Sequence, residues 1–272
     1  MLTTMNPSND IHLYVIMSPN YALVASQLEP HDFGRHYTTG SSRFYNGTVI
    51  FAEIDNTYRH EFFAIDELLK EVKPAPDGTP KRTKFIATYR VLEHIDLSAF
   101  KNLYVTSVEG EVLSLERAPY ERQHESGYIR TFQEICPFSA VVLSHMTPPE
   151  FGEYITDPDQ PKGAPKVVFT QIDLNIDEFL QQIEANPFHH SPLPNVHPHK
   201  LRDQIIEIKG NPNKRTKGVS LDSAIDKLSF LRLRNGFWIA SGGYEGEMIF
   251  YPVPDAATLE KENFAFYKSV SG

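Results

Sequence analysis

Short strand-like runs broken by turn residues, with little spacing long enough for helical crossovers, constrain this chain more than any other feature. Residues 12–17 (His-Leu-Tyr-Val-Ile-Met) and 21–25 (Tyr-Ala-Leu-Val-Ala) flank Ser18-Pro19-Asn20, whose turn chemistry predicts an opening hairpin. Residues 103–108 and 111–115 flank Glu109-Gly110 in the same way. Residues 229–234 and 237–240 flank Asn235-Gly236, a pair that readily takes the positive φ values of a type I′ turn. Further strands are expected at 48–54 (after a Tyr45-Asn46-Gly47 turn), 84–92, 129–135, 140–144, 166–174 and 247–251. Consecutive hairpins give antiparallel pairing. The expected class is therefore α+β, with mainly antiparallel sheets built from hairpins and short flanking helices.

Helix signals fall between these runs. Ile65, Leu68, Leu69 and Val72 have helical spacing and are stopped by Pro74, Pro76 and Asp77-Gly78. Asp96 can cap a short helix ending near Phe100. Thr147-Pro148-Pro149-Glu150 combines an N-cap, first-turn prolines and a capping-box glutamate. Ile176, Phe179, Leu180 and Ile183 align on one face, Leu201, Ile205 and Ile208 on another closed by Gly210, and 255–262 suggests a last helix. The Pro- and Asp-rich stretch 156–165 is the expected boundary between an N-terminal unit at 1–155 and a C-terminal unit at 166–272. The alternative is one continuous domain with 156–165 as a surface loop. No repeat of solenoid length is seen.

With 272 residues, 40% of them hydrophobic and 12% aromatic, the chain can build a core unaided. Its single cysteine, Cys136, excludes an intramolecular disulfide or a multi-cysteine metal site, and its apolar setting (Ile135, Pro137, Phe138) predicts a buried, inert thiol. Residues 1–10 lack the pattern of a signal peptide, and no apolar run approaches the ~20 residues that span a bilayer. A cytoplasmic, membrane-free location is expected. A formal net charge of −9 disfavours sequence-blind nucleic-acid binding, which relies on many cation–phosphate contacts. Oligomeric state leaves no mark in the sequence.

Four segments carry candidate chemistry. Residues 33–47 hold Arg35, His36, Ser41, Ser42 and Arg43 among glycines, a loop-like segment suited to phosphate or carboxylate; the plainer reading is a polar connection whose arginines meet surface acids. It fits neither phosphate-loop nor dinucleotide fingerprint. The tetrapeptide Lys81-Arg82-Thr83-Lys84 recurs as Lys214-Arg215-Thr216-Lys217; joined, with Arg90 nearby, they would add an anion-binding patch, and separately they are solvated turns. His189, His190, His197 and His199 are locally dense enough to chelate a metal, yet Pro192, Pro194 and Pro198 make an extended surface loop the simpler reading, so no metal is assigned.

Carboxylates make the fourth set. Glu53 and Asp55 project to one face near a strand end, so Glu53, like His36, is a candidate to move a proton. Asp203 with Glu207 and Lys209 resembles a nuclease pattern, but the helical spacing there argues against it. His94-Ile95-Asp96 is better read as a helix cap than as metal ligands. No nucleophile elbow is present. Two readings result: a non-catalytic module binding an anionic small molecule or protein partner, or an enzyme acting on a nucleotide or other phosphate-bearing substrate, with or without a metal. The sequence leaves any cofactor unknown.

Overall fold

In the computed structural model, His12–Ser18 (β1) and Ala22–Ser26 (β2) form the antiparallel hairpin that their turn residues dictate, with Ile16 opposite Ala22 and His12 opposite Ser26. The structure describes residues 11–18, 21–38, 49–55, 70, 72, 82–86, 92, 95–106, 110–121, 129–137, 140–157, 159, 166–173, 198–210, 216–219, 233–242, 246–255, 257 and 258. The chain divides into two units, Met1–Arg117 and Ala118–Gly272. The boundary thus falls at 117/118, whereas the Pro-rich stretch 156–165 lies inside the second unit, joining a helix to a strand.

The first unit continues with helix α1 (Pro30–Thr38), β3 (Ile50–Ile54), β4 (Arg82–Ile86), a 3₁₀ turn (Leu97–Ala99), β5 (Phe100–Thr106) and β6 (Val112–Leu115). Its sheet has the order β4-β2-β1-β3-β5-β6, antiparallel throughout. The strand expected at 84–92 begins two residues earlier and is described to Ile86. Asp96 does cap its turn, its carboxylate accepting from the Ser98 N–H at 2.9 Å. Gly110, at φ 87°, lies in the β5–β6 connection, where only glycine enters the left-handed region without strain.

The second unit contains β7 (Arg130–Cys136), β8 (Ala140–Ser144), helix α2 (Pro148–Thr156), β9 (Lys166–Ile172), helix α3 (Pro198–Gly210), β10 (Thr216–Val219), β11 (Leu233–Ser241) and β12 (Met248–Pro252). Its order is β10-β8-β7-β9-β11-β12. At α2 the Glu150 carboxylate accepts from the Thr147 N–H and hydroxyl at 2.8 and 2.9 Å, as the capping-box pattern requires. Cys136 is a fully buried free thiol. The helices expected at 65–72 and 176–185 fall largely outside the described residues, as does most of the one at 255–262. No helix among the described residues is long and apolar enough to cross a membrane.

One expectation fails instructively. Asn235-Gly236 is no hairpin turn: it lies inside the continuous strand β11, at a shift in register between Leu233 and Phe237. Gly236 has φ 142°, and a Cβ there would come within 2.1 Å of the Tyr251 carbonyl oxygen. The Gly236 carbonyl accepts from the Thr170 hydroxyl at 2.6 Å, and the Asn235 side-chain amide donates to Gln171 at 3.2 Å. The pair supplies a bulge, which needs the same positive φ as the turn it resembles in sequence.

The two units are one fold built twice. Their strand orders coincide when each strand of the first is matched to the strand six places later. The β1–β3 pairing Leu13↔Ile54, Tyr14↔Glu53, Val15↔Ala52, Ile16↔Phe51, Ser18↔Ile50 recurs 118 residues on as Thr131↔Ile172, Phe132↔Gln171, Gln133↔Thr170, Glu134↔Phe169, Cys136↔Val168, with the irregularity at the same place. Both helices read Pro-x-acid-Phe-Gly-x-x-x-Thr. Of the repeated tetrapeptides, Arg82, Thr83 and Lys84 lie on edge strand β4 and Thr216 and Lys217 on the matching β10, although Arg82 opposes Ser26 where Thr216 opposes Ser144, a slip of one residue between sequence and register.

Each core repeats as well. Phe33 of α1 stacks on Tyr14 at 4.0 Å and meets Phe51 at 5.0 Å; Phe151 of α2 stacks on Phe132 at 4.1 Å and meets Phe169 at 5.2 Å. Phe51 stacks on Tyr104, and Phe169 on Trp238. A short helix thus presses one aromatic onto two of its own sheet, and a third ring stacks behind them. The opposite face of the first sheet, through Leu13, Val15, Leu23, Ala25, Ile50, Ala52, Leu103 and Val105, is buried too.

Candidate functional site

Glu53 emerges from β3 opposite Tyr14 of β1, on the face that α1 covers. Two residues before Tyr14, His12 places its Nδ1 3.1 Å from Glu53 Oε1 and its Nε2 3.6 Å from Glu29 Oε1. Lys101 of β5 adds its ammonium at 3.9 Å from the same Glu53 oxygen. The imidazole stacks over the Tyr14 ring at 5.9 Å, and the Tyr14 hydroxyl donates to the Leu28 carbonyl at 2.7 Å. His12 and Glu53 are mostly shielded, with 17% and 15% of their side chains exposed, so their attraction is screened less than that of a surface pair.

The electrostatics follow. The Glu53 hydrogen bond raises the His12 pKa above its ordinary 6.5, with Glu29 adding to it and burial opposing it. Reciprocally, the His12 hydrogen bond and the Lys101 charge hold Glu53 below its ordinary 4.5 against burial and the repulsion of Asp55. Burial pushes the phenols of Tyr14 and Tyr104 upward. The contact thus favours the carboxylate form of Glu53 and the protonated form of His12 at the foot of α1.

The matching place in the second unit is built from different chemistry. Arg130 stands where His12 does, buried, its guanidinium donating to the carbonyls of His145 and Met146 at 3.3 and 3.5 Å. Gln171 stands where Glu53 does. Tyr120 lies edge-on to Trp238 at 5.7 Å and to Phe250 at 5.3 Å, closing over the aromatic layer.

The segment 33–38 is not a loop. Pro30 to Thr38 form α1, because proline opens a helix well, Phe33 and Tyr37 bury against the sheet, and the Phe33 N–H donates to the Glu29 carbonyl at 2.8 Å. Gly34 is there for closeness rather than freedom: a Cβ would meet Val112 at 2.7 Å and Thr106 at 2.9 Å. Arg35 is exposed, whereas His36 is half-buried, its ring edge-on to Tyr37 and its Nε2 shielded from solvent. Ser41, Ser42 and Arg43 lie outside the described residues, as do Lys81, Arg90, His189, His190 and His197. Arg82 and Lys84 are on β4 and His199 opens α3.

Asp203 and Glu207 are exposed on α3, so the nuclease-like pattern sits on a helix, as its spacing required. His145 Nε2 donates to the Ile208 carbonyl at 2.7 Å and ties α3 to the loop before α2. Among the described residues no three His, Cys, Asp or Glu side chains are grouped to hold a metal.

His12, Glu29 and Lys101 were not singled out by sequence reasoning. The pairing of His12 with Glu53 spans 41 residues and leaves no local pattern. Only superposing the chain on itself at an offset of 118 would have marked the paired change of His12 and Glu53 to Arg130 and Gln171.

Fold and site together define an α+β protein of two like units, with a His–Glu–Lys cluster in the first and Arg130 and Gln171 at the places of His12 and Glu53 in the second. No family model, curated protein or solved structure matches the chain.

Proposed function

We propose that this protein is a binding module for an anionic, phosphate- or carboxylate-bearing ligand or partner, engaged through the outer face of α1. The observation that supports this is a contrast between two otherwise equivalent helices. In α1 the outward positions are His31, Asp32, Arg35 and His36; in α2 they are Pro149, Glu150, Glu153 and Tyr154, with the same alternation of buried and outward residues. Cations favour a helix C-terminus, yet α2 forms with Glu153 there. A helix of this kind therefore forms without cations at these positions, and anion recognition is a role that Arg35 and His36 are suited to. Ser41, Ser42 and Arg43, next in the chain, carry the same chemistry.

A catalytic version would act on a nucleotide or other phosphate-bearing substrate and use His36 or Glu53 to move a proton. A carboxylate held below its ordinary range is a weaker base near neutrality, which favours the binding reading.

The second unit supplies the test. R35E/H36Y grafts the residues of α2 onto α1, so folding is expected to survive. Thermal shift and titration calorimetry with inorganic phosphate, a nucleotide and a dicarboxylate should show stabilisation of the wild type that the double variant loses. Indifference of the wild type to every anion, or undiminished binding by the variant, would overturn the proposal.

A further inference from the structure

We propose that His12 is a pH-operated latch that fastens the start of α1 to its sheet in the first unit, at a joint that the second unit fastens permanently with Arg130. The geometry is a shared position with two different side chains. His12 and Arg130 precede matching strand residues, Tyr14 and Phe132, in matching register. Both reach the segment that leads into the following helix. Arg130 does so through two carbonyls, those of His145 and Met146, and its guanidinium keeps its charge at every ordinary pH. His12 does so through the Glu29 carboxylate, and Glu29 is the residue whose carbonyl receives the first N–H of α1, that of Phe33, at 2.8 Å.

When protonated, His12 donates from Nδ1 to Glu53 on β3 and holds Glu29 before α1 by an ion pair from Nε2 at 3.6 Å. When neutral, it has one N–H to give, the Glu53 contact is the shorter at 3.1 Å, and the Glu29 tie is released. The other titratable groups of the cluster act on its neighbours: Lys101 on β5 and Asp55 on Glu53, and Tyr104 on β5 and Asp32 on α1 on Tyr14. The phenols of Tyr14 and Tyr104, pushed upward by burial, stay protonated through the neutral range. His12 is left as the group that changes. Because its folded pKa is raised, the tie is complete below the ordinary value of 6.5 and is lost as pH climbs through the raised one. The latch stands whether or not the outer face of α1 binds an anion.

Hydrogen exchange of the whole chain, corrected for intrinsic rates, decides the matter by comparing residues 26–38 with residues 144–156. Between about pH 5.5 and about pH 8.5, protection of 26–38 should fall at least about threefold while 144–156 holds. H12R should abolish the fall by copying the second unit. E29Q, altering a carboxylate that is 53% exposed and so safe for folding, should bring the acidic value down to the alkaline one. Equal change in both segments, no change in either, or a pH response that survives E29Q would refute the latch.

Discussion

Thr38 and Thr156 end their helices with the same bond: each hydroxyl donates to the carbonyl of the glycine four residues earlier, Gly34 at 2.9 Å and Gly152 at 2.8 Å. Each glycine lets its helix approach the sheet, and each threonine satisfies the carbonyl exposed at the helix end. The serine before each helix repeats as well, Ser26 accepting from the Leu28 N–H at 3.1 Å and Ser144 from the Met146 N–H at 3.0 Å.

The glycines are equivalent in place but not in tolerance. A methyl group on Gly34 would strike Val112 and Thr106, β-branched side chains with little room to turn, at 2.7 and 2.9 Å. On Gly152 it would meet the end of Met248 at 3.2 Å, and methionine adapts. G34A should cost about 1–3 kcal/mol by overpacking. G152A should stay within about 1 kcal/mol, helped by the helix preference for alanine. Urea unfolding of the two variants checks the difference.

Gly236 and Gly210 make a second contrast. G236A combines an unfavourable φ of 142° with a collision at 2.1 Å against the Tyr251 backbone, so β11 and β12 must part locally. The loss should exceed about 3 kcal/mol. Gly210 ends α3 with nothing within 4 Å of a Cβ, and G210A should be neutral or stabilising by up to about 1 kcal/mol. Thermal unfolding midpoints should move in clearly different degrees.

The class of fold was legible because hairpin chemistry is local: Ser18-Pro19-Asn20, the capping box at Thr147 and the helical stripe of Ile205 and Ile208 each act within a few residues. Asn235-Gly236 misled because a bulge and a type I′ turn ask for the same backbone freedom, and only the partner strand, with Tyr251 against Gly236, distinguishes them. Helix α1 was hidden by its central glycine, which sequence reasoning charges against a helix and packing here demands. The doubling of the fold stayed out of sight because matching positions share size and burial more than identity, as with Tyr104 and Trp238. The His12–Glu53 cluster could not be read at all, since strand pairing rather than sequence spacing creates it.

Cys136 gives a simple reporter of unfolding. It is fully buried, and burial raises its thiol well above the ordinary value of 9.0, so neither access nor thiolate is available in the native state. A colourless-to-coloured disulfide reagent should leave the native protein unmodified at about pH 8, close to the usual thiol range, and react fully once denaturant is added. Rapid labelling without denaturant would contradict the burial.

The His12–Glu53 pair should couple most strongly at mildly acidic pH. Glu53, with its folded pKa lowered, contributes above its ordinary 4.5 and loses that contribution as pH falls through the lowered value. His12, with its folded pKa raised, contributes fully below 6.5 and loses it as pH rises through the raised value. Both are charged together only between these limits. A double-mutant cycle of H12Q and E53Q, followed by urea unfolding, should give a coupling on the order of 1 kcal/mol near pH ~5.5. The coupling should shrink as pH falls through the lowered carboxylate value and, at the alkaline end, as it rises through the raised imidazole value. A coupling that kept its size at the alkaline end would mean that the contact is an uncharged hydrogen bond, and His12 would then be an ordinary core histidine.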